Sequence, residues 1–449
     1  MMSIKLNLLS GLLLKPLLLA GSSAVFIISA AAFCEISTIT SAVDTTLSAR
    51  VPLSPAGRQN QSRKDLNSDT ITLDEAVQIA IDNNLHVKAA IAQAGIALGE
   101  LQDDALPENP FFEGSFERND GGENAFTITA KQDITSLLFA GMKMRALASG
   151  KKEAILKATN EIYTLIGEVK RAFIRVGVLH KMVELHAAGM SAARAAASMA
   201  ERQLNAGNIN EIDKMQYRSE WHRLTLKYQQ AITELQVAKA GLRMTIGLAA
   251  NDTAWEIDIL TQPPIVTIRE DQLVAAALEN RLDLKGLKTG NDRLKIQQRA
   301  ILAESFGGIE VGVGGTFSRA YPLVGITVPL FNRNGGKRMM MNSAIKKAGY
   351  DIAVLTQEIP ALVQNAAKEY TQKRAAMLLL DTMVSEQALT VELAQKHYNV
   401  MTMGVYDLLL AKQREIDTKQ EFIRAVQDAW MAYVNLEQVI GTTLGTIQK

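Results

Sequence analysis

The chain has 449 residues, 47% of them hydrophobic and 5% aromatic, which suits two or three packed domains and excludes a disordered or collagen-like polymer. Lys and Arg number 48 against 47 Asp and Glu, so the net charge is +1 and no basic excess points to nucleic acid. A single cysteine, Cys34, rules out a disulfide framework or a thiolate metal cluster within one chain.

At the N-terminus, Lys5 and Lys15 precede an uncharged run over 16–33 that closes on Ser29-Ala30-Ala31-Ala32, the small-residue pattern of signal-peptidase cleavage. Residues 1–32 read as a signal peptide. The alternative is an uncleaved anchor, since the run approaches the roughly 18 residues that a spanning helix needs. Cys34 follows Phe33, which is not the small residue that lipoprotein acylation requires. Residues 33–69 are rich in Ser, Thr, Asp, Asn and Gln and read as a flexible leader.

The remainder repeats. "AIDNNLHVKAA" (Ala80 to Ala90) aligns with "ALENRLDLKGL" (Ala277 to Leu287), and "TNEIY" (Thr159 to Tyr163) with "TQEIP" (Thr356 to Pro360). "TITAKQ" from Thr127 aligns with "GITVPL" from Gly325, and the segment around Gly207 with that around Gly404, all at an offset near ~197 residues. The chain is therefore a tandem duplication, with a first repeat over 70–250, a linker over 251–266 and a second repeat over 267–449. Each repeat reads as a short helix, a helix of about 20 residues, two strands, and two very long helices joined by a Gly-containing turn.

The last long pair is expected over 337–401 and 405–444, the first of these near ~95 Å long at the α-helical rise. Pro360 is expected to kink or break it. In its partner, Leu409, Ile416, Ile423 and Trp430 recur every seven residues, with Val426, Tyr433 and Ile440 beside them, so these helices pack lengthwise on neighbours. The matching pair in the first repeat covers 142–204 and 209–248.

The strands alternate. Phe112, Gly114 and Phe116 face away from Glu113, Ser115 and Glu117; Phe126, Ile128 and Ala130 from Thr127, Thr129 and Lys131. Ile309, Val311, Val313 and Phe317 alternate with Glu310, Gly312, Gly314 and Thr316, and Ile326, Val328 and Leu330 with Gly325, Thr327 and Pro329. One face is apolar and the other wet. Behind an export signal, this pattern suits strands that meet lipid, and a sheet in lipid must close on itself. Four strands cannot close, because the smallest membrane barrels need about eight, so the barrel is shared between chains.

Nothing points to bond-making chemistry. His86, His180, His186, His222 and His397 form no HExxH or paired-ligand spacing, and no phosphate-binding or nucleophile motif is present. Met339, Met340 and Met341 carry thioethers, but consecutive residues point around a helix rather than converging, which favours packing.

With "ITLDEAVQIAIDNN" (Ile71 to Asn84), the duplicated long-helix pattern and "GITVPLFNRNGGKR" (Gly325 to Arg338), the chain resembles the TolC-like outer-membrane efflux family, and within it the CzcC-type heavy-metal efflux outer-membrane factors. The resemblance spans about residues 70 to 445. It implies a mainly α fold with a membrane β-barrel portion: a homotrimer with four strands per chain in a 12-stranded barrel, continued by a coiled-coil α-barrel in the periplasm of a Gram-negative bacterium. It implies no enzyme activity, no cofactor and no metal site. The partners would be outer-membrane lipid, a periplasmic adaptor protein and an inner-membrane RND-type pump, with metal cations as the favoured cargo. Drugs or secreted peptides remain alternatives, as does a non-transporting periplasmic coiled-coil scaffold.

The resemblance also places roles on residues. The hairpin tips Gly207, Asn208, Thr402 and Gly404 would contact the adaptor, with Asn210 and Glu211 nearby, each glycine supplying a positive φ. Asp213 and Asp407 would form carboxylate rings at the pore mouth or serve as helix caps. Pro329, Phe331, Asn332, Gly335 and Gly336 would join barrel to tunnel, with Ile326, Val328 and Leu330 toward lipid and Lys337 opening the long helix.

Overall fold

The computed structural model describes residues 36–48, 50, 70–117, 125–249, 255–257, 262–265, 269–304, 307–316, 319–328, 330–331 and 333–447. The expected signal peptide, Cys34, Phe317, Pro329 and Asn332 lie outside the described residues. The first repeat contains β1 (Thr70–Ile71), α2 (Leu73–Asn83), α3 (Leu85–Ala105), β2 (Phe111–Glu117), β3 (Ala125–Asp133), α4 (Ile134–Asn205) and α5 (Glu211–Ile246), preceded by α1 (Ile36–Ser48). The second follows in the same order: β4 (Glu256–Ile257), α6 (Glu270–Asn280), α7 (Leu282–Glu304), β5 (Gly308–Thr316), β6 (Arg319–Thr327), α8 (Gly335–Asn399) and α9 (Val405–Ile440), with a final turn, α10 (Leu444–Ile447).

Three segments show structure that the sequence did not specify. Helix α1 lies inside the segment expected to be a flexible leader: Ile39, Val43 and Leu47 recur every four residues and are buried, a short apolar stripe that the polar composition conceals. In the expected linker, Glu256 and Ile257 pair in parallel with Thr70 and Ile71, and the Pro264 carbonyl accepts a 2.8 Å hydrogen bond from the Tyr370 hydroxyl. Helix α8 is continuous through Pro360, so of the expected kink or break the break does not occur.

The duplication is legible in the caps. Thr72 and Glu75 form a reciprocal capping box at the start of α2, the physical content of "ITLDEA". Asn84 and Arg281 stand at equivalent joints between two helices. Asn84 Nδ2 donates to the Thr245 carbonyl at 2.5 Å and Arg281 Nη1 to the Val439 carbonyl at 3.3 Å. Just beyond these carbonyls, Gly247 (φ 77°) and Gly441 (φ 78°) end α5 and α9 in the left-handed region. The early helices correspond at 197 residues (73 to 270, 85 to 282), but the hairpin helices correspond at 194 (205 to 399, 211 to 405, 247 to 441). The tip glycines Gly207 and Gly404 are therefore not equivalent.

Two compact units cut across the repeats. One gathers Ile91–Ala158 and Lys285–Ala353 with the described residues up to Asp44. It holds a four-stranded antiparallel sheet ordered β2-β3-β5-β6. The register places Phe112, Ala130, Val313 and Pro322 in one row across the sheet, with Gly114, Ile128, Gly315 and Ala320 in the next row of that face. Phe116, Phe126, Val311, Val324, Ile309 and Ile326 share this face too, and Gln132 is its one polar side chain among the paired residues. The other face carries Glu113, Ser115, Thr127, Thr129, Lys131, Glu310 and Arg319 between glycines, together with Phe111, Leu323 and Tyr321, the last directly opposite Gly314. Strand β3 passes straight into α4, where Asp133 Oδ1 accepts from the Thr135 N–H (2.7 Å) and Thr135 Oγ1 accepts from the Ile309 N–H (2.6 Å). Below the sheet, burial alone would raise the pKa of Glu153, but Arg293 (2.8 Å) and Lys157 (2.7 Å) hold it below the ordinary carboxylate range. Gly290 leaves room for that carboxylate.

The other unit gathers Thr45–Ala90, Thr159–Leu284 and Val354–Lys449. Its core includes Ile174, Val178, Trp430 and Val434, with Ile423, Val426 and Tyr433 packed against them, so the seven-residue seam seen in the sequence is a packing seam. Glu437, only 4% exposed, accepts from Lys170 Nζ (2.7 Å) and from the Leu444 N–H (3.1 Å). The Tyr163 hydroxyl donates to the Glu437 carbonyl at 3.0 Å.

Candidate functional site: the two hairpin turns

In the first turn, α4 ends in a Schellman motif: the Gly207 N–H donates to the Leu204 carbonyl (2.9 Å) and the Asn208 N–H to that of Gln203 (2.8 Å), with Gly207 at φ 75°. Asn210 then caps α5. Its side chain accepts from the Asp213 N–H (2.8 Å), and the Asp213 carboxylate accepts from the Asn210 N–H (3.5 Å). The sequence left Asp213 open between cap and pore charge; its geometry is that of a cap. Glu211 pairs with Lys214 one turn on.

The second turn repeats this geometry with different residues. The Met401 N–H donates to Tyr398 and the Thr402 N–H to His397, both at 3.0 Å, and Met401 occupies the left-handed position at φ 61°. Gly404 is the N-cap of α9, extended at φ −76°, so the expected positive φ at Gly404 is replaced by one at Met401. The physical reason is the three-residue change in offset, which makes Gly404 equivalent to Asn210 and Met401 equivalent to Gly207. Gly404 offers no side chain to cap α9, and a Cβ built there would stand 3.5 Å from Asp407 Oδ2. The Thr402 hydroxyl donates to the His397 carbonyl at 3.0 Å and lies 3.0 Å from His397 Nδ1.

The two turns meet through a group that the sequence did not single out. The Tyr217 and Tyr406 rings pack edge to face with centroids 6.4 Å apart. Tyr217 is 6% exposed; burial pushes its phenol up, and Asp213, Tyr398, Tyr406 and Asp407 around it act in the same direction. Both aspartates thus act electrostatically on one tyrosine. Its sequence signal was the spacing of Tyr217, Leu224, Ala231 and Ala238, the buried seven-residue seam of α5. Asn208, Thr402 and Met401 (94%) are exposed at the apices.

The joint residues belong to the sheet unit. Strand β6 ends at Thr327, so Val328 and Leu330 follow it instead of lying within it. Both are exposed, as is Phe331 at 99%. Asn334 takes the positive φ of 57° that ends this segment, and α8 opens at Gly335 and Gly336, two residues before Lys337. Among the described residues no group of three His, Cys, Asp or Glu could hold a metal ion, and no helix is long and apolar enough to cross a membrane.

The sequence matches no family model and no curated protein. The fold is similar to that of a membrane protein from Pseudomonas aeruginosa (TM-score 0.68, 15% identity, covering 83% of this chain and 90% of that one). It is similar to the CmeC outer membrane channel of Campylobacter jejuni (TM-score 0.68, 14% identity, 86% and 91%). The outer membrane protein VceC of Vibrio cholerae also matches it (TM-score 0.67, 12% identity, 83% and 96%). This likeness establishes a shared fold, mainly helical with a small antiparallel sheet.

Proposed function

We propose that the chain is the outer-membrane duct of a tripartite efflux system, a passive exit for cargo delivered by an inner-membrane pump through a periplasmic adaptor. The observation that carries this reading is the sheet. Across four registered strands one face is apolar apart from Gln132, while the other mixes charged residues, threonines and glycines with Phe111, Tyr321 and Leu323, and β2 and β6 are the sheet's edges. In hydrocarbon an open edge strands its N–H and C=O groups, so the edges must pair with other copies. Three copies supply twelve strands, and their apolar faces form the lipid-facing band. The long helix hairpins then line the periplasmic tunnel, with Gly207, Asn208, Thr402 and Gly404 at the adaptor-facing mouth and Asp407, which lacks a capping partner at Gly404, as its carboxylate ring.

The joint after β6 is where chain leaves lipid: Leu330 and Phe331 sit at the boundary, and Gly335 and Gly336 begin the tunnel helix. Metal cations are the proposed cargo, on the CzcC-type resemblance of "GITVPLFNRNGGKR". Membrane fractionation of the expressed protein tests the reading, combined with gel mobility of the unheated detergent extract. An outer-membrane, heat-sensitive trimer supports the duct. A water-soluble periplasmic monomer would overturn it and favour a coiled-coil scaffold.

A further inference from the structure

His186 on α4 is 5% exposed, and its Nδ1 is buried with no hydrogen-bond partner among the described residues. One turn along the same helix, a Cβ on Gly189 would stand 3.2 Å from Ile416 Cδ1 of α9 and 4.0 Å from Leu224 Cδ1 of α5, so α4 meets both helices at this level. Lys227 and Glu234 of α5 and Asp417 and Arg424 of α9 are the charged groups whose fields reach the imidazole. Lys227 Nζ lies 3.7 Å from Asp417 Oδ1, the ionic link between α5 and α9, and Gln413 Nε2 donates to the same carboxylate at 3.0 Å. Burial holds the imidazole below its ordinary pKa, helped by Lys227 and Arg424 and opposed by Asp417 and Glu234. From Val405 to Arg414, α9 has no buried residue; its first buried positions are Glu415 and Ile416, at this junction.

We propose that His186 is a proton-operated release at the junction of α4, α5 and α9. A proton taken up by the imidazole creates a cation in the field of Lys227 and Arg424, and its new N–H needs an acceptor. Asp417 is the anion on α9 that can turn toward it, and doing so breaks the Lys227–Asp417 link. The first three turns of α9, which hold no buried residue, then loosen against α4 and α5, with the Tyr406–Tyr217 ring contact left as their tie to α5. That this movement widens a mouth rests on the duct reading; the loosening itself does not.

The test is amide hydrogen exchange on the full detergent-solubilised protein at pH 7.5 and 5.0, with labelling times scaled for the intrinsic pH dependence of exchange. In wild type, peptides covering Val405 to Asp417 are expected to lose protection at least about fivefold at pH 5.0, while those covering Val426 to Ile440 keep theirs. His186→Gln, or His186→Leu if the first folds poorly, is expected to erase the difference. Equal protection of Val405 to Asp417 at both pH values in wild type overturns the proposal, whatever the variants do. So does an undiminished loss in a folded His186 variant. Planar-bilayer conductance of the same samples keeps the two readings apart, since a conducting channel without the exchange difference refutes only the His186 release.

Discussion

Alanine at Gly441 tests whether the ends of the hairpin helices are locked onto the joints between the preceding short helices. Gly441 sits at φ 78°, where a side chain carries a penalty of about 1–2 kcal/mol. A Cβ there would also stand 3.0 Å from Arg281 Cα, 3.2 Å from Arg281 N and 3.3 Å from Asn280 C, all backbone atoms that cannot rotate away. Overpacking of this kind adds about 1–3 kcal/mol, so Gly441→Ala is expected to cost about 2–5 kcal/mol in all. Gly247→Ala should behave alike, because its Cβ would meet Asn83 and Asn84 backbone atoms at 2.9 Å. Gly207 is the control: it has φ 75° but nothing within 4 Å, so its alanine variant carries the backbone penalty alone, about 1–2 kcal/mol. Denaturant unfolding in detergent, followed by far-ultraviolet circular dichroism, gives the three losses side by side. Equal losses at all three positions would refute the packing argument.

Further expectations follow from other residues. Lys170→Met leaves Glu437 buried without its cation and should destabilise by about 3–5 kcal/mol, whereas Lys170→Met with Glu437→Leu should recover most of that in the same unfolding assay. Met401→Gly relieves a left-handed non-glycine residue and should raise stability by up to about 1 kcal/mol after the entropic cost of glycine, seen as a higher denaturant midpoint. Tyr163 and Tyr433 both have phenols pushed up, mainly by burial and then by Glu437. The folded chain keeps these protons where the unfolded chain loses them, so stability is full below about pH 10 and falls as pH rises beyond it; a pH series of unfolding curves checks the sign. Ile128→Lys places a charge on the apolar sheet face and should cost about 2–4 kcal/mol and block trimer recovery, while Thr129→Lys on the other face should leave assembly intact on an unheated gel.

Much of this architecture was legible because its signals are periodic. Alternation in Phe112 to Glu117 and Ile309 to Thr316 located strands whose registered partners confirm a single apolar face. Seven-residue spacing in α9 located its packing seam. Elsewhere the signal was too short or too ambiguous to fix the structure. Helix α1 was hidden by its Ser and Thr content, although Ile39, Val43 and Leu47 are spaced as a helix stripe. The tips were aligned by their glycines, yet glycine serves as a left-handed residue at Gly207 and as an extended N-cap at Gly404, and only backbone angles separate the two roles. Tyr217 and Tyr406 meet across two repeats, a contact that no local pattern encodes.

The central claim is that one sheet face meets lipid and the other water, and single-cysteine labelling of the assembled protein tests it most directly. In a chain with Cys34 replaced by Ser, cysteines placed one at a time at residues 126–130 and 322–327 would be exposed to a water-soluble maleimide and, separately, to a lipid-phase quencher of an attached fluorophore. Strict alternation is expected: quenching by lipid at Phe126, Ile128, Ala130, Pro322, Val324 and Ile326, and aqueous labelling at Thr127, Thr129, Leu323, Gly325 and Thr327. Uniform aqueous labelling with no lipid quenching would contradict it.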